Sequence, residues 1–207
     1  YELYGVKYHC WKKHGHGYMK LRNAIKQSCD IYFYETARIL GVDKLSIIAN
    51  RYGLGSEVLN DVFIDEKNGL VPTTKWKKYI LEKSWYLGET VINGIGQGYI
   101  QTTPLQLSLM TAQIANGGYK IQPHIIKDKN INYEFIKSEI NKNSKVKRKY
   151  LTEIKFKSYE RLYRNKNNIN FIKDAMFGST NEKYGTSFKS RHKDPKYQFA
   201  GKTGTSQ

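Results

Sequence analysis

The stretch from Thr103 to Gly118 constrains this chain most. Thr103 stands at an N-cap, and Pro104 fills the first helical position, where its missing N–H is one of the orphans anyway. Gln106 lies where a capping box needs its partner. From Leu105 to Ala115 the residues are apolar nearly all round, which predicts a buried helix. Asn116-Gly117-Gly118 ends it. Burying such a helix requires a domain around it, and 207 residues suffice for one domain with a sizeable core.

Upstream the pattern is helical. Leu21 to Gln27 has helical spacing through Leu21, Ala24 and Ile25. A polar break, Ser28-Cys29-Asp30, separates it from a second helix over Ile31 to Leu40, which Gly41 stops. Asp43 is placed to cap a third helix that runs to Tyr52 and ends at Gly53. Trp85 to Gly98 reads as Gly-rich and irregular. Tyr119 to Ile126 reads as a strand with Pro123 near its end. From Lys127 to Asn168 the composition turns to Lys, Asn and Glu, which predicts a charged, variable surface insertion and not a second domain. Ile169 to Phe177 reads as a short amphipathic helix. No repeat is visible.

The net charge is +17, from 35 Lys+Arg against 18 Asp+Glu. A basic surface can hold nucleic acid or an anionic polymer. Here the charge is spread out and peaks in one low-complexity stretch, Lys and Asn are heavily used throughout, and no nucleic-acid motif occurs. The reading is therefore compositional, with nucleic acid not expected as a partner. No apolar run approaches the roughly 20 residues that span a bilayer. The chain begins Tyr1-Glu2-Leu3-Tyr4 without an initiator Met, as a piece of a longer protein would. Cys10 and Cys29 are the two cysteines; they could form a disulfide, ligate a metal or stay as thiols.

Three segments could carry chemistry. Lys202-Thr203-Gly204 on an edge strand would offer a fixed positive charge, a hydroxyl and a Cβ-free approach, with the next N–H free for an oxyanion or carboxylate. Alone, such a triplet also reads as an ordinary turn. Ser28-Cys29-Asp30 could point a hydroxyl and a carboxylate into a cleft, or simply cap the following helix. Gly94-Ile95-Gly96-Gln97-Gly98-Tyr99 lacks the spacing of a dinucleotide loop. It fits a tight loop docking the helix that begins at Thr103.

Taken in order, Ser-x-Asp, then Gly-Ile-Gly-Gln-Gly-Tyr with Thr-Pro-Leu-Gln, then Lys-Thr-Gly-Thr resembles the penicillin-binding transpeptidases. Trp11-Lys12-Lys13-His14-Gly15-His16-Gly17 and Ser28 to Tyr34 resemble their class B branch of the rod-shape (elongation) system, the penicillin-binding protein 2 group. The resemblance covers most of the chain outside Lys127 to Asn168. It implies an α/β (α+β) penicillin-binding/serine β-lactamase-like transpeptidase fold, with a helical subdomain and a partial antiparallel sheet. It implies peptidoglycan D,D-transpeptidation through an acyl-serine, with a D-Ala-D-Ala stem peptide as substrate, β-lactams as inhibitors and a rod-system glycosyltransferase as partner. It places such an enzyme on the inner membrane, facing the periplasm.

By resemblance, Ser28 would relay a proton beside the catalytic serine, Asp30 stands where many relatives have Asn, and Lys202 would add positive field. Thr203 and Thr205 would bind the terminal carboxylate, Thr205 N–H would form half of the oxyanion hole, and Gly204 would let substrate approach. Tyr184-Gly185-Thr186 resembles a structural Gly-Thr turn. No cofactor is required for that chemistry. Cys10, His16 and Cys29 resemble a zinc site of some rod-system relatives, Cys10 standing in for an Asp. A fourth ligand would lie at or before the start of the chain, and His9 or His14 could substitute. Nothing before Ser28 fits the nucleophile's Ser-x-x-Lys. Ser144-x-x-Lys147 and Ser190-x-x-Lys193 come in the wrong order within charged segments. The chain by itself is therefore expected to be inactive, with an unpaired strand edge near its end. A remnant of a split gene and a basic nucleic-acid module are the alternatives.

Overall fold

The computed structural model describes residues 1–59, 66–123 and 160–204. A short hairpin opens the chain, β1 (Glu2–Leu3) pairing antiparallel with β2 (Val6–Lys7). Its turn residues Tyr4 and Gly5 both have positive φ, at 50° and 78°, which matches the strand twist. Helices follow: α1 (Leu21–Lys26), α2 (Asp30–Leu40), α3 (Val42–Arg51), α4 (Thr74–Ile80), α5 (Leu87–Asn93), α6 (Pro104–Ala115) and α7 (Lys166–Asn181). Two 3-10 turns, Phe188–Ser190 and Pro195–Tyr197, come after α7. Among the described residues the remaining β structure is two isolated bridges, Leu70 with Gln101 and Tyr119 with Arg161.

The boundaries of α1, α2 and α6 follow their sequence signals. Gly41 closes α2 with φ 80°. Thr103 accepts from Gln106 N–H while the Gln106 side chain accepts from Thr103 N–H, so the capping box is real. Other elements depart from expectation. Asp43 does not cap α3, whose N-cap is Gly41; its carboxylate instead accepts from Thr74 N–H at 2.9 Å and Thr74 Oγ1 at 2.8 Å, tying α3 to α4. Trp85 to Gly98 is not irregular throughout. Glu89 accepts from Tyr86 N–H and starts α5 inside it. Helix α7 is longer than the apolar pattern indicates, because Asn165 caps it at Asn167 N–H and the helix starts at Lys166, three residues before Ile169 leads off the apolar face. The strand expected over Tyr119 to Ile126 is a single bridge at Tyr119, and residues 124–126 lie outside the described residues. Most of the Lys127 to Asn168 insertion lies outside them too.

Helix α6 is buried along one stripe and not all round. Gln106, Leu109 and Gln113 are buried, while Leu107 is 44% exposed. The two glutamines are fully satisfied by loop backbone. Gln106 Nε2 donates to Ser56 O and Asn68 O, and Gln113 donates to Tyr52 O and accepts from Ile121 N–H. A buried amide without those partners would cost more than an apolar side chain, so the helix staples three loops as it packs.

Two packings hold the helices in register. Helix α5 meets α2 so closely that a Cβ at Gly94 would overlap the Ala37 Cβ, which explains the first glycine of the Gly-Ile-Gly-Gln-Gly run. Lys77 of α4 is buried, ion-paired with Glu89 of α5 and set over the rings of Tyr86 (4.7 Å), Tyr99 (5.7 Å) and Trp85 (5.9 Å).

The second packing is α1 on α7. Arg22 and Lys26 are one helical turn apart. Arg22 reaches Asp174 and Glu182, each at 2.5 Å, and Lys26 reaches Glu182 at 2.7 Å. The hydrogen bonds from Arg22 and then Lys26 hold the Glu182 pKa down at about 2, against an ordinary value of 4.5. A carboxylate with a lowered folded pKa stabilises above its unfolded pKa and loses that contribution as pH falls toward the folded one. Acid should therefore weaken this fold between about pH 4.5 and about 2. Glu182→Gln is expected to cost roughly 1 kcal/mol near neutral pH, since the pair is part-exposed and screened. It should also flatten the acid slope. Urea unfolding at neutral and acid pH measures both.

Candidate functional site

The break after α1 is a complete C-terminal cap. Cys29 N–H donates to Ala24 O at 2.9 Å and Ser28 N–H to Ile25 O at 3.3 Å, the paired bonds of a Schellman motif. In that motif the residue after the C-cap takes the left-handed conformation, usually as glycine. Here it is Ser28, with φ 52°. An L-residue there costs on the order of 1 kcal/mol, and such strain concentrates at functional positions. Neither Ser28 nor Asp30 caps α2: its N-cap is Cys29, without a side-chain bond. The Asp30 carboxylate in the first turn instead accepts from Trp11 N–H at 2.9 Å.

The freed Ser28 hydroxyl accepts a 2.7 Å bond from Lys202 Nζ, across 174 positions of sequence. Helix α7 delivers Lys202. Phe199 O accepts from Thr180 Oγ1 and from Asn181 Nδ2, and Gly201 N–H donates to Met176 O at 3.1 Å. Lys202 also donates to Thr203 O. Desolvation of its ammonium pulls the Lys202 pKa below the ordinary lysine value, partly offset by the Asp30 charge. Thr203 Oγ1 donates to Thr186 Oγ1 at 3.1 Å, and Thr186 meets Ser179 Oγ at 3.1 Å. Nothing lies within 4 Å of a Cβ built on Gly204. The described part of the run, Gly201 to Gly204, is in no strand, and Thr205 lies outside the described residues.

Thr186 was legible only as a structural turn. A Cβ at Gly185 would overlap the carbonyl oxygens of Ser179 and Gly178, so the turn does sit hard against α7. Its hydroxyl nevertheless joins the site. Of the two spurious Ser-x-x-Lys matches, Ser190 ends a 3-10 turn and Lys193 follows it, both exposed, and Ser144 to Lys147 lie outside the described residues.

Beside the Ser28 turn, the donor atoms of Cys10, His16 and Cys29 lie within 4.8 Å of one another. Both cysteines are free, so the disulfide alternative is not realised in this structure. Cys10 Sγ lies 3.4 Å from His16 Nδ1. Two ligands on a tetrahedral zinc with ordinary Zn–S and Zn–N bonds are separated by about 3.5 Å. His16 Nε2 is buried without a hydrogen-bond partner. Burial, then Lys12, lowers the His16 pKa against the Asp30 charge, favouring the neutral imidazole that binds metal. Burial raises the Cys29 thiol pKa, with Cys10 adding to it. The donor set fits a soft, tetrahedral cation. His9 and His14 are exposed and outside the cluster.

Residues 1–207 match the family described as penicillin binding protein transpeptidase domain. The chain is 32% identical over 200 residues to the peptidoglycan D,D-transpeptidase MrdA of Salmonella typhimurium, covering 97% of this chain and 30% of that protein. It is 31% identical over 201 residues to MrdA of Escherichia coli K12, covering 97% of this chain and 29% of that protein. Among solved structures, Pseudomonas aeruginosa PBP2 in complex with WCK 5153 superposes with TM-score 0.77 at 33% identity, over all of this chain and 43% of that one. Helicobacter pylori PBP2 in complex with MreC superposes with TM-score 0.80 at 28% identity, over all of this chain and 34% of that one. The chain thus spans about 30% of the length of the curated relatives it matches.

The left-handed turn sets a direct test. Ser28→Ala and Ser28→Gly both lose the hydroxyl, but only glycine relieves the backbone. Ser28→Gly should be the more stable of the two by about 1 kcal/mol in chemical denaturation.

Proposed function

This chain belongs to the penicillin-binding protein transpeptidase family, in the class B branch related to MrdA, and on that premise we propose that it is part of a peptidoglycan D,D-transpeptidase that also binds penicillin. The observation that carries the reading is the 2.7 Å bond from Lys202 Nζ to the hydroxyl of left-handed Ser28. A serine nucleophile attacks the penultimate D-Ala carbonyl of a stem peptide, and the carbonyl electrons move onto oxygen. When the tetrahedral intermediate collapses, the amine of the terminal D-Ala leaves and needs a proton. The proton that the nucleophile gave up reaches that amine through the Ser28 hydroxyl, and in deacylation Ser28 carries a proton from the incoming amine back to the departing serine oxygen. Lys202 supports both steps with positive charge at the Ser28 hydroxyl. Thr203 offers its hydroxyl to the substrate carboxylate, and the open space over Gly204 admits the peptide backbone. Thr205 completes the cradle in this reading.

No Ser-x-x-Lys turn precedes Ser28 in this sequence, so residues 1–207 alone should not be acylated. The D-Ala-D-Ala stem peptide is the proposed substrate, at the periplasmic face of the inner membrane, with a rod-system glycosyltransferase as partner. No helix among the described residues is long and apolar enough to cross a membrane. Catalysis needs no cofactor. Cys10, His16 and Cys29 would hold a structural zinc that fixes the segment at residue 10 to the Ser28 turn.

Labelled penicillin tests the reading. The full-length protein should form a covalent adduct, and Lys202→Ala should slow its formation at least about 100-fold. Absence of any adduct with the full-length protein would sink the proposal, and an adduct on residues 1–207 alone would refute their inactivity. For zinc, the purified protein should hold one equivalent. Chelation or Cys29→Ser should lower its melting temperature, and metal-free protein of unchanged stability would rule the site out.

A further inference from the structure

Trp11 touches the Ser-x-Asp segment at three places. Its indole Nε1 donates to Ser28 O at 2.7 Å and to Gln27 O at 3.2 Å, and its backbone N–H donates to Asp30 Oδ2 at 2.9 Å. The ring is 60% exposed, so burying apolar area is not its main contribution here. It stacks edge-on against His16, with centroids 5.4 Å apart.

These contacts meet a specific need. Ser28 is held at φ 52°, a conformation that an L-residue leaves readily unless its surroundings over-determine it. The Schellman bonds fix the N–H groups of Ser28 and Cys29 but leave the carbonyls of Gln27 and Ser28 free. One bifurcated indole N–H takes up both carbonyls. Rotating the Ser28 peptide back toward the right-handed region would break those bonds and swing Oγ away from Lys202 Nζ. We propose that Trp11 is a positioning residue, whose indole N–H locks the left-handed Ser28 turn and thereby holds the Ser28 hydroxyl on Lys202. It touches no reacting atom and acts only through Ser28. This inference rests on the transpeptidase reading.

The test is acylation of the full-length protein by penicillin, with the non-covalent binding step resolved from the covalent one. Trp11→Phe keeps a ring and the backbone N–H but removes the indole donor. It should slow the covalent step about tenfold, roughly what loss of one such bond costs. The dissociation constant of the initial complex should stay within about twofold and the melting temperature within about 2 °C, as one exposed hydrogen bond allows. If Trp11→Phe does not fold, replacing Trp11 with benzothienylalanine preserves the bicyclic shape and removes only the N–H. In a Ser28→Ala background the Trp11 change should have no further effect on the covalent step. An unchanged acylation rate, or an equal slowing with and without the Ser28 hydroxyl, overturns the positioning role and leaves the transpeptidase reading standing. A wild-type protein that forms no adduct overturns both.

Discussion

The packing of α1 on α7 is the constraint on which the rest of the site depends. It brings together residues at opposite ends of the chain. Helix α1 ends in the Ser28 turn, and the C-terminal end of α7 anchors the segment that carries Lys202. Arg22 and Lys26 on one helix and Asp174 and Glu182 on the other set the alignment of the two. Hydrophobic contact alone would let short helices slide. Two cations one turn apart, sharing one carboxylate, admit a single relative placement. Thr186 N–H, which donates to Lys26 O, adds a backbone bond to the same junction.

Around that junction the chain spends stability on geometry. A serine holds a position suited to glycine, and a surface tryptophan is fastened down by hydrogen bonds at its polar edge. Cys10 lies next to Trp11 and Cys29 next to Ser28, so the thiol-imidazole cluster joins the same two segments that the indole joins. Restraint from two independent directions suits a hydroxyl that must stay within hydrogen-bond distance of one ammonium.

Elements with punctuation at both ends were legible in the sequence. Thr103-Pro104 and Asn116-Gly117 bracket α6, and Gly41 closes α2, because caps and glycines act locally. The order of the motifs points to Ser28, Lys202 and Thr203 together, and of these the structure joins the Ser28 and Lys202 side chains by a hydrogen bond. Non-local partners were not. Asp43 could cap its own helix or reach Thr74, and only the tertiary arrangement decides. The apolar run of α6 suggested burial on every side, yet its most buried residues are glutamines serving loop backbones far away in sequence. Nor does a sequence disclose that Ser28 sits left-handed. That comes from the Schellman bonds to Ala24 and Ile25, whereas the local sequence fits a capping serine equally.

Lys77 has a consequence of another kind. This chain is rich in lysine, and among the described residues most lysines are exposed, ready to react with an acylating reagent such as a succinimide ester. Lys77 cannot do so while it is enclosed by Glu89, Trp85, Tyr86 and Tyr99. Its modification must wait until α4 separates from α5. In a peptide map of the labelled protein, the adduct at Lys77 would therefore act as a clock for that local opening, while the surface lysines, already labelled, supply the zero time.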